Sequence, residues 1–545
     1  MISLLFLPLS ILFRPDSAAA TAGLTSATIV PLPYGTFRGF TTGNLTQFLG
    51  LPFGQAPRFE SPREPAVMHG VQNATSFGPA CPQQKITTPP GIGVVANTYP
   101  AVSEECLTLD IFRPTVTNAK LPVFVWIYGG GFEVGNSRDY DLTPVVERSI
   151  EIGEPILVVT ANYRVNALGF LAGKEVAAAG ISNLGLRDQK FALEWVQKHI
   201  SAFGGDPNRV VLGGVSAGSI SAAFLTLDNK QHSNTLFHGA FLQSGPAIPV
   251  HPLADGQTDY DGLVTATNCT ASSDTLACLR RVPFDSLMAA VNNTANMFSY
   301  SSLNLAWAPR IDGDVIEYDP FVSISRGLYG KIPILAGMCD DEGTLFSFST
   351  LNVTTDAEFL EYVHSNYLSL TSKDQMAQLS RLFPDDPTQG SPFDTGTANQ
   401  LTPEFKRLAA FQGDLIIASP RRFLLEHASS TQNVWGWLNK VGKATNGPIG
   451  AAHASDTPIW FTTGETTVGI DALLNFINTL DPNCPTKYST GNTSISWPKW
   501  NSPSSSGSSS LLTFSDTGIN ITADNFRSNA MDFLNNLRVE EAGSS

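Results

Sequence analysis

Continuous apolar runs, each ending at glycines or polar residues, recur along the chain and predict buried strands. Residues 121–128 and 155–163 are nearly all apolar, as expected of parallel strands covered on both faces. Residues 187–201 place their apolar side chains on one face of a helix. Further strands are predicted at residues 36–40, 45–51, 210–215, 237–243, 331–338 and 434–438, and helices over most of 356–426 and at 526–537. This alternation predicts an α/β fold class: a large, mostly parallel central sheet with helices on both faces.

One predicted strand runs directly into Gly214-Val-Ser-Ala-Gly218, and an Ala/Ser-rich helical pattern follows. A serine between two such glycines at a strand-to-helix turn is a nucleophile elbow, where larger neighbours would collide and the hydroxyl points out of the sheet. The five-residue pattern alone is common by chance, so its position directly after a buried strand carries the argument. Ser216 is therefore the candidate nucleophile.

A serine nucleophile needs an imidazole to take its proton and a carboxylate to orient the imidazole. In the α/β-hydrolase arrangement, the acid and then the histidine follow the serine along the chain. An acidic run at 340–342 directly follows a predicted strand; a solvated turn is the alternative interpretation. Of the histidines beyond this run, His364 and His427 lie in helical patterns, whereas His453 lies in a loop of small residues that leaves room for the ring. His453 is the candidate base.

Three glycines, Gly129, Gly130 and Gly131, follow the predicted strand at 121–128. Glycines at this place leave backbone N–H groups free to point into a cavity, where they can hold the oxyanion of a tetrahedral intermediate. Losing one such donor typically raises the barrier by about 3 kcal/mol. A plain flexible turn is the alternative interpretation.

Composition narrows the possible partners. The chain has 545 residues, no linker that divides it, and a net charge of −15 with 15% charged residues. No basic face is predicted for nucleic acid or anionic lipid, so a small-molecule or lipid ester is the favoured substrate. The absence of a C-x-x-C or Cys/His cluster predicts no metal site.

The N-terminus resembles a secretory leader. Residues 2–13 are apolar and residues 17–22 are small, which predicts a signal peptide over 1–22, too short for a membrane span, and one mature domain over 23–545. A secreted, extracellular protein is therefore expected. Its six cysteines fit an oxidising compartment, but six allow fifteen pairings. Candidate glycosylation sites are Asn44, Asn73, Asn268, Asn292, Asn352, Asn492 and Asn520.

Six short motifs carry a family resemblance. They are SEECLTLD at 103–110, YGGGF at 128–132, NYRV at 162–165, NLGLRDQ at 183–189, FGGDP at 203–207 and QSG at 243–245. Together they resemble the type-B carboxylesterase/lipase family of α/β-hydrolases, which includes fungal lipases, carboxylesterases and cholinesterases. The resemblance extends over about residues 36–537.

The resemblance implies a role for particular residues, with no metal or organic cofactor. It implies Ser216 as nucleophile, Glu342 as acid, His453 as base, and the backbone N–H groups of Gly130, Gly131 and Ala217 as oxyanion donors. It also implies disulfides Cys81–Cys106 and Cys269–Cys278, and structural ion pairs Arg58–Glu104 and Arg164–Asp188. The implied reaction is ester hydrolysis in two steps, through an acyl-enzyme.

Three departures from the family pattern stand out. The N-terminal family stretch is contracted around residues 55–58. Val215 occupies the position where the family usually has Glu, so a charge near His453 is missing. Cys339 and Cys484 have no partner in the common pattern; they pair with each other or stay free.

Three functions are compatible with this sequence. The loop between Cys81 and Cys106 is either a lid or a plain surface loop. It is shorter and less aliphatic than a lipase lid of this family, which favours a carboxylesterase over an interfacial lipase or sterol esterase. A non-catalytic adhesion or binding protein on the same fold is disfavoured, because the nucleophile, acid, base and oxyanion glycines are all present.

Overall fold

The computed structural model describes residues 28–89, 99–115, 120–227, 233–464, 466–483, 496–501 and 509–544. The predicted signal peptide lies outside these residues. The strands, in chain order, are β1 (Ile29–Leu32), β2 (Gly35–Arg38), β3 (Phe40–Thr42), β4 (Leu45–Pro52), β5 (Val71–Asn73), β6 (Thr108–Pro114), β7 (Leu121–Ile127), β8 (Leu157–Ala161), β9 (Gly205–Val215), β10 (Gly239–Gln243), β11 (Ile334–Cys339), β12 (Val434–Lys440), β13 (Ser510–Ser515) and β14 (Gly518–Ala523).

Helices connect most of these strands. They are α1 (Thr143–Glu151), α2 (Asn166–Phe170), α3 (Lys174–Ala179), α4 (Leu184–His199), α5 (Ala217–Thr226), α6 (Ser233–Leu236), α7 (Gln257–Ala266), α8 (Thr275–Arg281), α9 (Phe284–Asn292), α10 (Pro320–Ser325), α11 (Thr344–Ser347), α12 (Asp356–Asn366), α13 (Lys373–Leu382), α14 (Phe405–Gly413), α15 (Ser419–Ala428), α16 (Thr457–Phe461), α17 (Val468–Thr479) and α18 (Ser528–Ser544). A π turn, Asp414–Ala418, joins α14 to α15. Within the described ranges, no helix has the length and apolar character needed to cross a membrane.

Eleven strands form the central sheet, in the order β14-β13-β12-β11-β10-β9-β7-β8-β6-β4-β3. The neighbours from β13 to β8 are parallel, whereas β14, β6, β4 and β3 pair antiparallel at the two sides. The predicted mostly parallel sheet is confirmed. Strands β1, β2 and β5 form a separate small sheet.

Hydrophobic cores lie on both faces of the sheet. Along β7, Val123 and Val125 belong to one core, whereas Phe124 and Trp126 belong to the other, because successive side chains of a strand point to opposite faces. Helices α4 and α5 cover the first face, and α1 and α17 cover the second. This double cover explains why every residue of β7 is buried and why the strand is apolar throughout.

Some elements were not predicted from the sequence. Strand β6 contains the buried Asp110, whose carboxylate accepts hydrogen bonds from Gly50 N (2.8 Å), Ser137 Oγ (2.7 Å) and Thr160 Oγ1 (3.2 Å). Because of this buried polar residue, the sequence of β6 lacks the continuous apolar run that predicts a buried strand. Strand β14 was missed because it is largely exposed at the edge of the sheet.

Disulfides and ion pairs hold the loops that flank the sheet. The structure contains the disulfides Cys81–Cys106 and Cys269–Cys278 implied by the family resemblance. The implied ion pairs also form, at 2.6 Å both for Arg58–Glu104 and for the buried Arg164–Asp188. Cys339 carries a free, buried thiol, and Cys484 lies outside the described residues.

The candidate glycosylation sites are mostly accessible. Asn292 is half-buried, and its side-chain oxygen accepts a hydrogen bond from Lys85 N (2.7 Å). Asn492 lies outside the described residues. The exposed sequon asparagines are Asn44, Asn73, Asn268, Asn352 and Asn520.

Candidate active site

Ser216 lies at a sharp turn between β9 and α5. Its backbone has φ 55° and ψ −129°, a conformation that costs energy for a residue with a Cβ. The surroundings hold it there: Ser216 N donates to Gln243 O (2.9 Å), and Ser216 O accepts from Ile220 N (2.8 Å). The flanking glycines are required, because a Cβ at Gly214 would overlap the backbone of Gly218. These contacts explain the G-x-S-x-G pattern in physical terms.

Three predicted side chains form one hydrogen-bonded line. His453 Nε2 lies 2.8 Å from Ser216 Oγ, and His453 Nδ1 lies 2.5 Å from Glu342 Oε2. Glu342 follows β11 and is buried, and His453 lies in the loop between β12 and α16. The line therefore joins positions 237 residues apart. A hydroxyl, an imidazole and a carboxylate in this geometry can transfer the serine proton to the ring.

The QSG motif at 243–245 supports this line from beneath. Ser244 Oγ donates to Glu342 Oε1 (2.7 Å), which also accepts from Cys339 N (2.6 Å). A Cβ at Gly245 would overlap Ser216 O, so glycine is required at this close approach. The sequence motif signalled the family, but its contacts to the acid and to the elbow were not predicted.

Gly130 and Gly131 follow Gly129, where an added Cβ would lie 2.8 Å from Ser216 Cβ, and their backbones have φ 124° and φ 62°. The Gly130 carbonyl accepts from Glu133 N (3.0 Å) and Val134 N (3.1 Å), which fixes the turn. Ala217 is the first residue of α5, where an amide has no partner within the helix. Among the described residues, no backbone carbonyl accepts from the amides of Gly130, Gly131 or Ala217. These amides are therefore not used by the backbone hydrogen bonds of the described residues.

A small apolar cluster lies between Gly129–Gly131, which we call the glycine turn, and His453. We call this cluster the apolar wall. The rings of Phe346 and His453 are 5.3 Å apart, and a Cβ added to Gly131 would lie 2.9 Å from Met297 Cε. This wall was not predicted from the sequence, because its residues come from one short helix, α11, and from irregular segments without periodicity. Its buried members are Val134, Met297 and Phe346, with Ile86, Phe298, Leu303 and Leu305 packed against them.

The acidic run after β11 does more than supply Glu342. Asp341 N donates to Ala451 O (3.0 Å), and Ala451 N donates to Asp341 Oδ2 (2.8 Å). Asp341 Oδ1 accepts from Ser391 Oγ (2.9 Å) and Phe393 N (2.8 Å). Burial, and then the charge of Asp340, raises the pKa of Asp341 to about 6. Asp341 thus ties the turn that carries Glu342 to the loop that carries His453.

Val215 packs into an aromatic core with Phe241, Trp437 and Trp460. Val215 carries no charge, but a buried carboxyl lies close to the histidine loop. It belongs to Asp456, three residues after His453. It accepts from Gln243 Nε2 (2.7 Å), Trp437 Nε1 (2.8 Å) and Trp460 Nε1 (3.3 Å). Burial raises the pKa of Asp456 above its ordinary value.

The histidines that were set aside lie outside this site. His427 Nδ1 lies 2.8 Å from Phe423 O on its own helix, α15, and His364 lies on α12. Both are ordinary helix residues, as their patterns indicated.

The crystal structure of Aspergillus niger EstA matches this fold with a TM-score of 0.81 at 26% sequence identity, covering 95% of this chain and 99% of that one. The chain is thus an α/β-hydrolase in fold, as predicted. A sequence profile described as "Carboxylesterase family" matches residues 26–513. This chain belongs to the carboxylesterase family.

Lipase 4 of Diutina rugosa is 37% identical over 514 residues, which cover 89% of this chain and 92% of that lipase. The secreted triacylglycerol lipase LIP1 of Gibberella zeae is 36% identical, over 93% of this chain and 89% of that protein. The predicted enzyme class, a carboxylic ester hydrolase, is confirmed at the level of the family.

Proposed function

We propose that this chain is a secreted serine hydrolase that cleaves carboxylic esters through Ser216, His453 and Glu342. The observation that carries the proposal is the hydrogen-bonded line from Ser216 Oγ through the imidazole to the Glu342 carboxylate. The role of Gly130, Gly131 and Ala217 is proposed with it: their amides hold the oxyanion. The three side chains and three backbone amides needed for acyl transfer are thus all assigned to residues of this chain.

In the first step, His453 Nε2 takes the Ser216 proton as Oγ bonds to the ester carbonyl carbon. The negative charge moves to the carbonyl oxygen, which the glycine amides hold. The carbon–oxygen bond to the alcohol then breaks, and the alcohol leaves with the proton from His453. In the second step, water gives its proton to the same imidazole and attacks the acyl carbon, and Ser216 takes the proton back as the acid is released. Glu342 keeps the ring in the correct tautomer in both steps.

The apolar wall supports an ester with an apolar acyl group. Met297 and Phe346 lie between the proposed oxyanion amides and His453, where the acyl chain of a bound ester extends. Burying each methylene of such a chain contributes about 0.8 kcal/mol. We propose a carboxylesterase. The lipase names of the compared relatives keep a true lipase as the second candidate.

Secretion is part of the proposal, with residues 23–545 as the mature hydrolase domain. It is supported by the apolar leader, the exposed sequons and the name of the Gibberella relative. Mass spectrometry of protein from a fungal culture medium tests it: an N-terminus near residue 23 and glycans on exposed sequons are expected. Retention of the chain inside the cell would contradict secretion.

The central test is Ser216→Ala, assayed with p-nitrophenyl butyrate. We expect kcat to fall by about 10⁴-fold or more while the thermal unfolding temperature stays close to wild type. Ser273→Ala is the matched control, because Ser273 is exposed and far along the chain from the site. Retained turnover by Ser216→Ala would refute the assignment. So would the absence of a phosphonate adduct on Ser216 in the wild type.

Activity on two kinds of ester distinguishes a carboxylesterase from a lipase. A carboxylesterase has its highest kcat/KM on soluble short-chain esters, whereas an interfacial lipase becomes much more active when long-chain triacylglycerol forms an emulsion. A non-catalytic binding protein shows neither activity and takes up no phosphonate.

A further inference from the structure

Glu133 is a buried carboxyl that the proposed reaction does not use. It lies two residues after Gly131 and has no exposed surface. Its Oε2 accepts from Met297 N (2.9 Å), whereas its Oε1 has no hydrogen-bond partner among the described residues. A buried carboxyl with half of its acceptors unpaired costs free energy, so its presence calls for a physical reason.

The side chain of Gln84 contacts the same segment as Glu133, residues 294–297. Gln84 Nε2 lies within hydrogen-bond distance of Thr294 Oγ1 (3.1 Å), Thr294 O (3.3 Å) and Ala295 O (3.4 Å). Gln84 N in turn donates to Glu133 O (3.1 Å). Two neighbouring side chains thus attach residues 294–297 to the glycine turn.

The attached segment ends at the side chain that faces the proposed oxyanion site. Met297 packs with Val134 and Phe346 in the apolar wall, and its Cε lies against Gly131. Phe346 contacts the His453 ring edge-on, at 5.3 Å between centroids. A shift of the Met297 backbone therefore changes the space between the glycine turn and the histidine, where an acyl chain would lie.

We propose that Glu133 is a positioning residue that sets the acyl-chain preference of this enzyme: its hydrogen bond to the Met297 amide holds the apolar wall against the oxyanion glycines. The inference rests on the proposed function of Ser216. Glu133 does not touch the ester, and it acts through Met297.

The charge state of Glu133 follows from its surroundings. Burial raises the pKa of Glu133 to about 8, and the Met297 amide opposes this shift. The segments packed on it are the glycine turn, residues 82–85 and residues 294–297; Lys85, the charged side chain on them, is exposed. The carboxyl is thus neutral below about pH 8. Above about pH 8 the Glu133 carboxylate is an uncompensated buried charge, which draws water inward and loosens the apolar wall.

The test compares two esters across pH in wild type and Glu133→Gln. The ratio of kcat/KM for p-nitrophenyl octanoate to that for p-nitrophenyl butyrate cancels every effect of pH that the two esters share. In the wild type this ratio should fall by about threefold or more between pH 7 and pH 9.5. In Glu133→Gln, which keeps an oxygen for the Met297 amide and cannot ionise, the ratio should stay flat. Glu361→Gln, an exposed change on α12, should behave as wild type.

Two results would overturn the proposal: a ratio that does not change with pH in the wild type, or the same slope in Glu133→Gln. A second variant, Glu133→Ala, removes the acceptor and should lower the ratio already at pH 7; if it does not fold, Glu133→Gln decides. Failure of the proposed function is distinct, because then the wild type neither hydrolyses the esters nor takes up a phosphonate on Ser216.

Discussion

The substitution Glu342→Gln removes the negative charge of the proposed acid and keeps its shape. The surrounding hydrogen-bond donors determine the orientation of the new amide. Ser244 Oγ (2.7 Å) and Cys339 N (2.6 Å) both donate to Oε1, and His453 Nδ1 lies 2.5 Å from Oε2. An NH₂ group in the Oε1 position would face the Cys339 N–H, donor against donor. The glutamine oxygen therefore takes that position, and the NH₂ group faces His453.

An NH₂ group that donates to Nδ1 forces the imidazole proton onto Nε2. Nε2 can then no longer accept the proton of Ser216, although every heavy atom stays close to its place. A wrong tautomer of this kind lowers kcat by about 10⁴-fold in the serine proteases. That factor corresponds to about 5 kcal/mol of activation free energy. We expect a similar loss here.

The assay is hydrolysis of p-nitrophenyl butyrate, with thermal unfolding measured on the same samples. The control is Glu361→Gln, the same chemical change at an exposed position. ¹⁵N spectra of the imidazole should show the proton on Nε2 in the variant. A Glu342→Gln enzyme within about tenfold of wild type would refute the proposed role of this carboxylate.

Burial raises the pKa of Glu133 from 4.5 to about 8, so between these values only the unfolded chain ionises and stability falls as pH rises. Glu133→Gln should therefore unfold at a higher temperature than wild type near pH 7.5 and at the same temperature near pH 4. Gly130→Ala places a Cβ against the Val134 carbonyl, so the backbone of the turn must shift and its amides leave the proposed oxyanion position. Circular dichroism should show a lower unfolding temperature, and kcat should fall by about 10²-fold or more. The Cys81–Cys106 disulfide closes a 25-residue span, so replacing both residues with Ala should lower the free energy of unfolding by about 3 kcal/mol in a denaturant titration.

The parts of the fold that the sequence predicted well are those where burial is uniform. Strands β7, β8, β10 and β11 and the second half of β9 are buried, so their residues are almost all apolar and their positions could be predicted within a few residues. The polar first half of β9, residues 205–209, was not predicted. Strand β6 could not be predicted, because its buried Asp110 breaks the apolar pattern. A carboxylate in a sequence normally indicates an exposed position. Helices α7 and α8, around the second disulfide, were missed because their apolar faces are short.

Some residues of the candidate site could also be predicted from the sequence, whereas others could not. Ser216 and His453 could be predicted because local constraints, glycines at a turn and small residues in a loop, leave a mark in the sequence. The roles of Asp341 and Asp456 could not, since a carboxylate that accepts buried N–H groups has the same letter as a solvated one. Met297 gave no signal either, because its segment is irregular.

Carboxyl groups around the site act at different distances from the reacting atoms. Glu342 contacts His453, Asp341 joins the loops that carry both residues, and Glu133 holds Met297 beside the glycine turn. Burial raises the pKa of Asp341 to about 6 and that of Glu133 to about 8, so the two groups change charge in separate ranges of pH. A change of acyl preference on the alkaline side therefore concerns Glu133 and the apolar wall, because Asp341 is already ionised in that range.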